Sequence, residues 1–200
     1  MPSQPSDYRD QMLAGDQAFR TDNYHRAYGH FEIANYLGDH DPESYLCMLH
    51  AQFALSSYSY ARASYFLQKA LEHMPELPTV HLRPRGFYGS LGKYAEHLVS
   101  LQEHIARNPQ DDEALLLLAY FRWFGRTQDT EATREALSRS LAASLGSNDT
   151  RMVEAVQTFW DGMVATGKVS GKLKPAAAAK AAPGSAGAAG TPPAKDEPRR

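Results

Sequence analysis

The stretch Ala114–Phe124, ALLLLAYFRWF, decides how the chain is read. Arg122 is its only residue that is neither apolar nor aromatic. Apolar side chains that continue round a helix, rather than along one stripe, require contacts on several sides. Asp111, Asp112 and Glu113 stand just before the run, where carboxylates favour the positive end of a helix dipole. Gly125 follows the last aromatic, where a helix can end through a left-handed residue. The run is far shorter than the ~20 residues a membrane-crossing helix needs, so it is expected to be a central core helix.

On the C-terminal side, Thr130–Leu145 predicts the next helix. Gly146-Ser147-Asn148-Asp149 then caps a last one over about Thr150–Val164, with Val153, Val156, Phe159, Trp160 and Met163 inward. On the N-terminal side, Tyr94–Arg107 is strongly amphipathic with Leu98, Leu101 and Ile105 inward, and Asn108-Pro109 closes it. Earlier still, Leu82-Arg83-Pro84-Arg85-Gly86-Phe87-Tyr88-Gly89 carries a proline and two glycines, which leave at most a short, broken helix. The first 75 residues predict four helices: Tyr8–Phe19 with Ser6 as N-cap, Tyr24–Leu37, Pro42–Leu55 capped by Asp41, and Tyr58–His73 ended by Pro75 and Pro78. Loops this short force neighbouring helices to pack antiparallel.

Two hundred residues allow one sizeable core with a tail. A 42% hydrophobic and 22% charged composition is that of a folded soluble protein. Cys47 is the single cysteine, which excludes an intramolecular disulfide and an all-cysteine metal site. The start MPSQPSDYRDQ has no basic-then-apolar signal, so the expected compartment is the cytoplasm. From Ala165 to Arg200, seven basic residues face only Asp196 and Glu197, a net +5 that leaves −7 on the preceding residues. An acidic body argues against nucleic-acid binding there. Pro175–Arg200 holds ten Ala and five Pro with no aromatic or large aliphatic residue, so disorder is expected.

An internal repeat organises these helices. The spacing of Gly15, Tyr24, Ala27, Phe31 and Ala34 recurs 36 residues on at Ala51, Tyr60, Ala63, Leu67 and Ala70, and Pro75 closes it. Gly92-Lys93-Tyr94, Leu101 and Asn108-Pro109 supply it again, and Leu118-Ala119 opens a fourth unit. Small residues let paired helices approach, large ones fill the gap, and the proline separates one pair from the next.

Over Tyr8–Leu145 the chain resembles the tetratricopeptide repeat family, and Thr150–Val164 resembles its capping helix. It is similar to uncharacterised bacterial proteins that carry this repeat. The resemblance implies an all-α, right-handed helix-pair solenoid of about four repeats and about nine helices in one domain at 6–166; composition gives the expected disordered tail at 167–200. It also implies that the first helix of each pair lines a concave peptide-binding groove. Arg9, Met12, Asp16 and Phe19 would face it from the first pair, Tyr45, Met48 and Gln52 from the second, and Glu113, Leu116, Tyr120 and Trp123 from the fourth. Family members that bind acidic chaperone tails carry a lysine-and-asparagine clamp; Met12 and Asp16 hold the matching places here. The implied groove is apolar with acidic edges and suits an apolar or basic segment of a protein partner. The function expected is therefore a non-enzymatic interaction module or scaffold without a cofactor.

Sharper chemistry is weighed against this. Cys47 and His50 have a zinc-chelating spacing, but no pattern supplies two further ligands, and a buried thiol beside a packing histidine is the plainer reading. His97 and His104 stand two turns apart, too far to share a metal, and read as a solvated face. No nucleophile motif, phosphate loop or HExxH occurs. Arg83, Arg85, Phe87 and Tyr88 form the one basic–aromatic cluster of the body. It could hold an anion through its arginines, the basis of an alternative small-molecule or enzyme reading, or pack on the neighbouring pair. Arg122 needs a partner or an exit to solvent, by stacking on Trp123 or Tyr120 or by snorkelling. The tail lysines could touch nucleic acid or an anionic membrane, but they are spread thin and read as a linker.

Overall fold

The computed structural model of the protein describes residues 5–56 and 59–177, with side chains from residue 7 onward. Among these residues there are eight α-helices and no strand. They are α1 (Pro5–Arg20), α2 (Tyr24–Leu37), α3 (Pro42–Leu55), α4 (Ala61–His73), α5 (Leu91–Arg107), α6 (Asp112–Trp123), α7 (Thr130–Ser147) and α8 (Thr150–Ala165). The segment expected to be a broken helix contains only two single-turn 3-10 helices, Leu77–Thr79 and Pro84–Gly86.

Local chemistry sets most helix starts. Asn23, Asp41, Ser90, Asp111, Asp129 and Asp149 each accept a hydrogen bond from a first-turn N–H at the head of α2, α3, α5, α6, α7 and α8. Pro42 follows the Asp41 cap, where its missing N–H costs nothing. Some boundaries differ from expectation. α1 begins before Ser6, which therefore lies in its first turn, and α4 begins at Ala61 rather than at position 58. Gly125 is not left-handed; Gln128 is the positive-φ residue of that loop, at φ 43°. What Gly125 supplies is space, because a Cβ there would stand 2.8 Å from the Phe121 carbonyl oxygen.

Helices adjacent in sequence pair antiparallel. Gly15 abuts the Phe31 ring while Tyr8 lies against Gly38 at the other end of the α1–α2 hairpin. In α3–α4, Tyr45 meets His73, and Phe53 meets Tyr60 just ahead of α4. In α6–α7, the Ser140 hydroxyl donates to Asp112 O, and Arg122 reaches Ala132 O at the other end. α6 is the hub: Ala114 to Phe121 are all buried, as is Trp123. It touches α3 through His50–Tyr120 and Phe53–Phe121, α5 through Tyr94–Phe121, and α8 through Phe124–Phe159. Contacts on every side explain why its apolar residues run all the way round.

The departure from simple stacking lies between α4 and α5. Leu77, Pro78, Pro84 and Tyr88 are buried while Thr79, Val80, His81, Arg83, Arg85 and Gly86 are exposed, so residues 77–88 form a strap anchored to the helices at points along its length instead of adding a helix. The Trp123 indole N–H donates to Pro78 O at 2.8 Å, and a Cβ at Gly162 would lie 2.6 Å from the Pro78 ring. Gly89 ends the strap against α1, where a Cβ would stand 2.0 Å from Arg20 O. α6 packs directly on α4, and α8 reaches back to both.

The tail expected to begin at 167 is held to the helices as far as Ala176. Leu173 is buried, Trp160 donates to Gly171 O at 2.9 Å, and Ala176 N–H donates to Ser138 O at 2.9 Å. Gly167 and Gly171 take positive φ to make the turns. The rest of that expected tail, 178–200, lies outside the described residues.

Candidate functional site

The strap covers two of the residues expected to line the groove, Phe19 through Tyr88 and Trp123 through Pro78. Phe19, Tyr45, Met48, Gln52, Tyr120 and Trp123 are all buried. Phe19 packs edge-on against Tyr88 at 5.0 Å, and Trp123 lies beneath Pro78 with Lys168 Nζ 5.6 Å from its ring centroid. Tyr45 turns toward α4, among Phe66 and His73, and its hydroxyl pairs with His40. These six residues hold the core together. The physical reason is that apolar and aromatic side chains this large are stabilised by leaving water, and here neighbouring parts of the same chain cover them.

Met12 and Asp16 have a different setting. They line a cleft of ≈ 780 Å³ between α1 and α3, with Leu13 and Arg9 beside them, Cys47, Asp41 and Glu43 opposite, and Phe87 of the strap also in its wall. α1 and α3 are tied across it by the Tyr8 hydroxyl, which donates to Asp41 Oδ2 at 2.8 Å. Leu13 is exposed and adds apolar surface to the cleft wall beside Met12. Three carboxylates converge here. Burial, followed by Glu43, Asp16 and Asp41, pushes the Cys47 thiol far above its ordinary range. Burial and the bond to Asp41 push the Tyr8 hydroxyl the same way, with Glu43 adding to it. A thiol so disposed is protonated and inert as a nucleophile. Asp16 is paired with Arg20 at 2.8 Å across solvent, a contact of small energetic weight.

Behind Phe87 lies the interior. Its ring stacks on His50 at 4.4 Å, and His50 Nε2 shares a buried hydrogen bond of 3.0 Å with Tyr120 Oη. Cys47 and His50 therefore serve different surroundings, the cleft wall and the core. Among the described residues, no group of three or more His, Cys, Asp or Glu could hold a metal ion. The histidines of α5 are not a solvated face. His104 is nearly buried, and its Nε2 lies 2.6 Å from Asp111 Oδ2, tying α5 to the cap of α6. His97 sits among Tyr24, Phe53 and Tyr88.

Arg83 and Arg85 are exposed, while Phe87 and Tyr88 of the same cluster turn inward. Phe87 stands half-buried in the cleft wall, and Tyr88 is buried against Phe19. Arg122 finds a backbone partner: it is part-buried, and Nη1 donates to Ala132 O at 2.9 Å. The cleft residues that the sequence reading did not single out are Tyr8, Leu13, Glu43 and, in this role, Asp41 and Phe87. Asp41 was legible only as a cap, and Phe87 comes from a segment with no periodicity to aim it.

The molecule is thus an all-α protein of antiparallel helix pairs, with one acidic, partly apolar cleft at its N-terminal end. No helix of the described residues is long and apolar enough to cross a membrane. No family model, curated protein or solved structure matches the chain.

Proposed function

We propose that this chain is a non-enzymatic protein–protein interaction module of the tetratricopeptide repeat type, a right-handed array acting as a cytoplasmic scaffold. Its binding surface is the cleft between α1 and α3, and its ligand is an apolar and basic segment of a protein partner. The observation that carries the reading is the cleft's composition. Met12, Leu13 and Phe87 offer apolar surface, and Asp16, Asp41 and Glu43 surround it with negative charge. A segment presenting an apolar side chain beside lysine or arginine satisfies both. The helix pairs and the 36-residue spacing of their small and large residues support the repeat assignment.

The test is capture from cell extract by the wild type and by a Leu13→Glu/Glu43→Lys variant. Both positions are exposed, so circular dichroism should show an unchanged helix content. At least a tenfold loss of a captured protein in the variant is expected. Equal capture by both baits would move the site away from this cleft.

A further inference from the structure

We infer that the α1–α3 cleft is a docking site for the chain's own segment 178–200, which competes there with any partner. The inference rests on the reading of the cleft as a peptide site and adds an occupant to it.

Charge is the first argument. Segment 178–200 carries Lys180, Lys195, Arg199 and Arg200 against Asp196 and Glu197. The cleft gathers Asp16, Asp41 and Glu43 within electrostatic reach of one thiol, with Arg9 the single basic residue of its lining. Opposite charges so placed attract and orient, and the attraction weakens with salt.

Shape and side-chain chemistry are the second. Prolines are the only apolar side chains of the segment larger than alanine, at Pro183, Pro192, Pro193 and Pro198. Proline rings dock on aromatic faces, and basic neighbours then meet carboxylates at the rim. Half-buried Tyr8 and Phe87 stand at the cleft with Asp41 and Glu43 nearby. Pro192-Pro193-Ala194-Lys195 and Pro198-Arg199-Arg200 have the matching order.

Reach is the third. The chain is last held near Ser138 on α7, through Ala176. The following residues, 178–200, can span at most roughly 76–83 Å. A domain of this size has a radius of gyration of about 16 Å, so half its circumference is roughly 65 Å. Pro192 and Lys195 stand 15 and 18 residues beyond Ala177, a reach of at most about 50–65 Å, which covers most of that distance. Tethering raises its effective concentration to about millimolar, so weak contacts suffice to occupy the site.

Two measurements on the full chain test this. Zero-length carbodiimide coupling joins lysine amines to carboxylates. It is expected to link Lys195 to Asp16, Asp41 or Glu43 within one chain, unchanged on tenfold dilution and several-fold weaker in 0.5 M salt (about a 4 Å Debye length). A synthetic peptide of residues 188–200 should bind a Lys195→Glu/Arg199→Glu/Arg200→Glu chain at least fivefold tighter than the wild type, because the variant's own segment no longer competes. Links only to other carboxylates, links that vanish on dilution, or equal peptide affinity for both chains would overturn the inference. Equal affinity that is lost in the Leu13→Glu/Glu43→Lys variant would leave the cleft reading standing and remove only self-docking. No peptide binding, together with unchanged partner capture by that variant, would remove both.

Discussion

Trp123→Ala is expected to lower the unfolding free energy by roughly 4–6 kcal/mol, a large part of what a domain this size possesses. Trp123 is 1% exposed and at the end of the hub helix. Its removal leaves a large cavity and also orphans Pro78 O, which accepts the indole N–H. Trp123→Phe keeps most of the volume and loses the hydrogen bond, so roughly 1–3 kcal/mol is expected. Urea unfolding of the three proteins checks both values. A cost below about 2 kcal/mol for the alanine variant would mean that the strap does not cover this side chain.

The second large effect is acid lability through His50. Burial lowers its pKa from 6.5 to about 3, and no carboxylate offsets the desolvation. Phe87, Tyr88, Tyr120 and Phe121 surround the ring, so a proton there has no counter-charge. The unfolded chain binds the proton first as pH falls. The contribution of His50 is therefore complete above pH 6.5 and lost progressively down to about pH 3. The loss is roughly 2 kcal/mol by pH 5 and about 4–5 kcal/mol by pH 3. His97, also lowered by burial, acts in the same direction. Asp112 and Glu113, raised by burial at the start of α6, oppose it, because the folded state then holds their protons more tightly. Isolating His50 requires the His50→Gln chain. The stability difference between wild type and variant should slope by up to about 1.4 kcal/mol per pH unit between pH 6 and 3.5. Parallel curves would mean that His50 is solvated or paired.

The helices were legible because each level of the sequence agreed with the next. Asp41-Pro42 marks the head of α3, the small residues Ala27 and Ala63 sit where helices touch, and the unbroken apolar face of Ala114–Phe121 announced a hub. The strap was not legible. A proline- and glycine-rich run shows where a helix cannot form, and its direction is decided by distant partners such as Trp123, Gly162 and Arg20. That one unknown decided two of the expected groove residues, Phe19 and Trp123. Most residues expected to face a ligand became core, while Arg9, Met12 and Asp16 kept an opening in the cleft. The histidines of α5 were misplaced for a related reason. Tyr94, His97, Leu101 and His104 share a helical stripe with Leu98 and Ile105, and a polar residue on such a stripe is inward when something like Asp111 receives it.

Pro78 ties the strap to the hub helix by accepting the Trp123 indole N–H, and Trp123 reports on that packing directly. The chain has two tryptophans, so Trp160→Phe leaves Trp123 as the single indole fluorophore. The fold described here gives blue-shifted Trp123 emission that acrylamide quenches little until denaturant unfolds the chain. Emission and quenching in the folded protein that match those of the unfolded chain would show an open groove, and would return Trp123 to a ligand-facing surface.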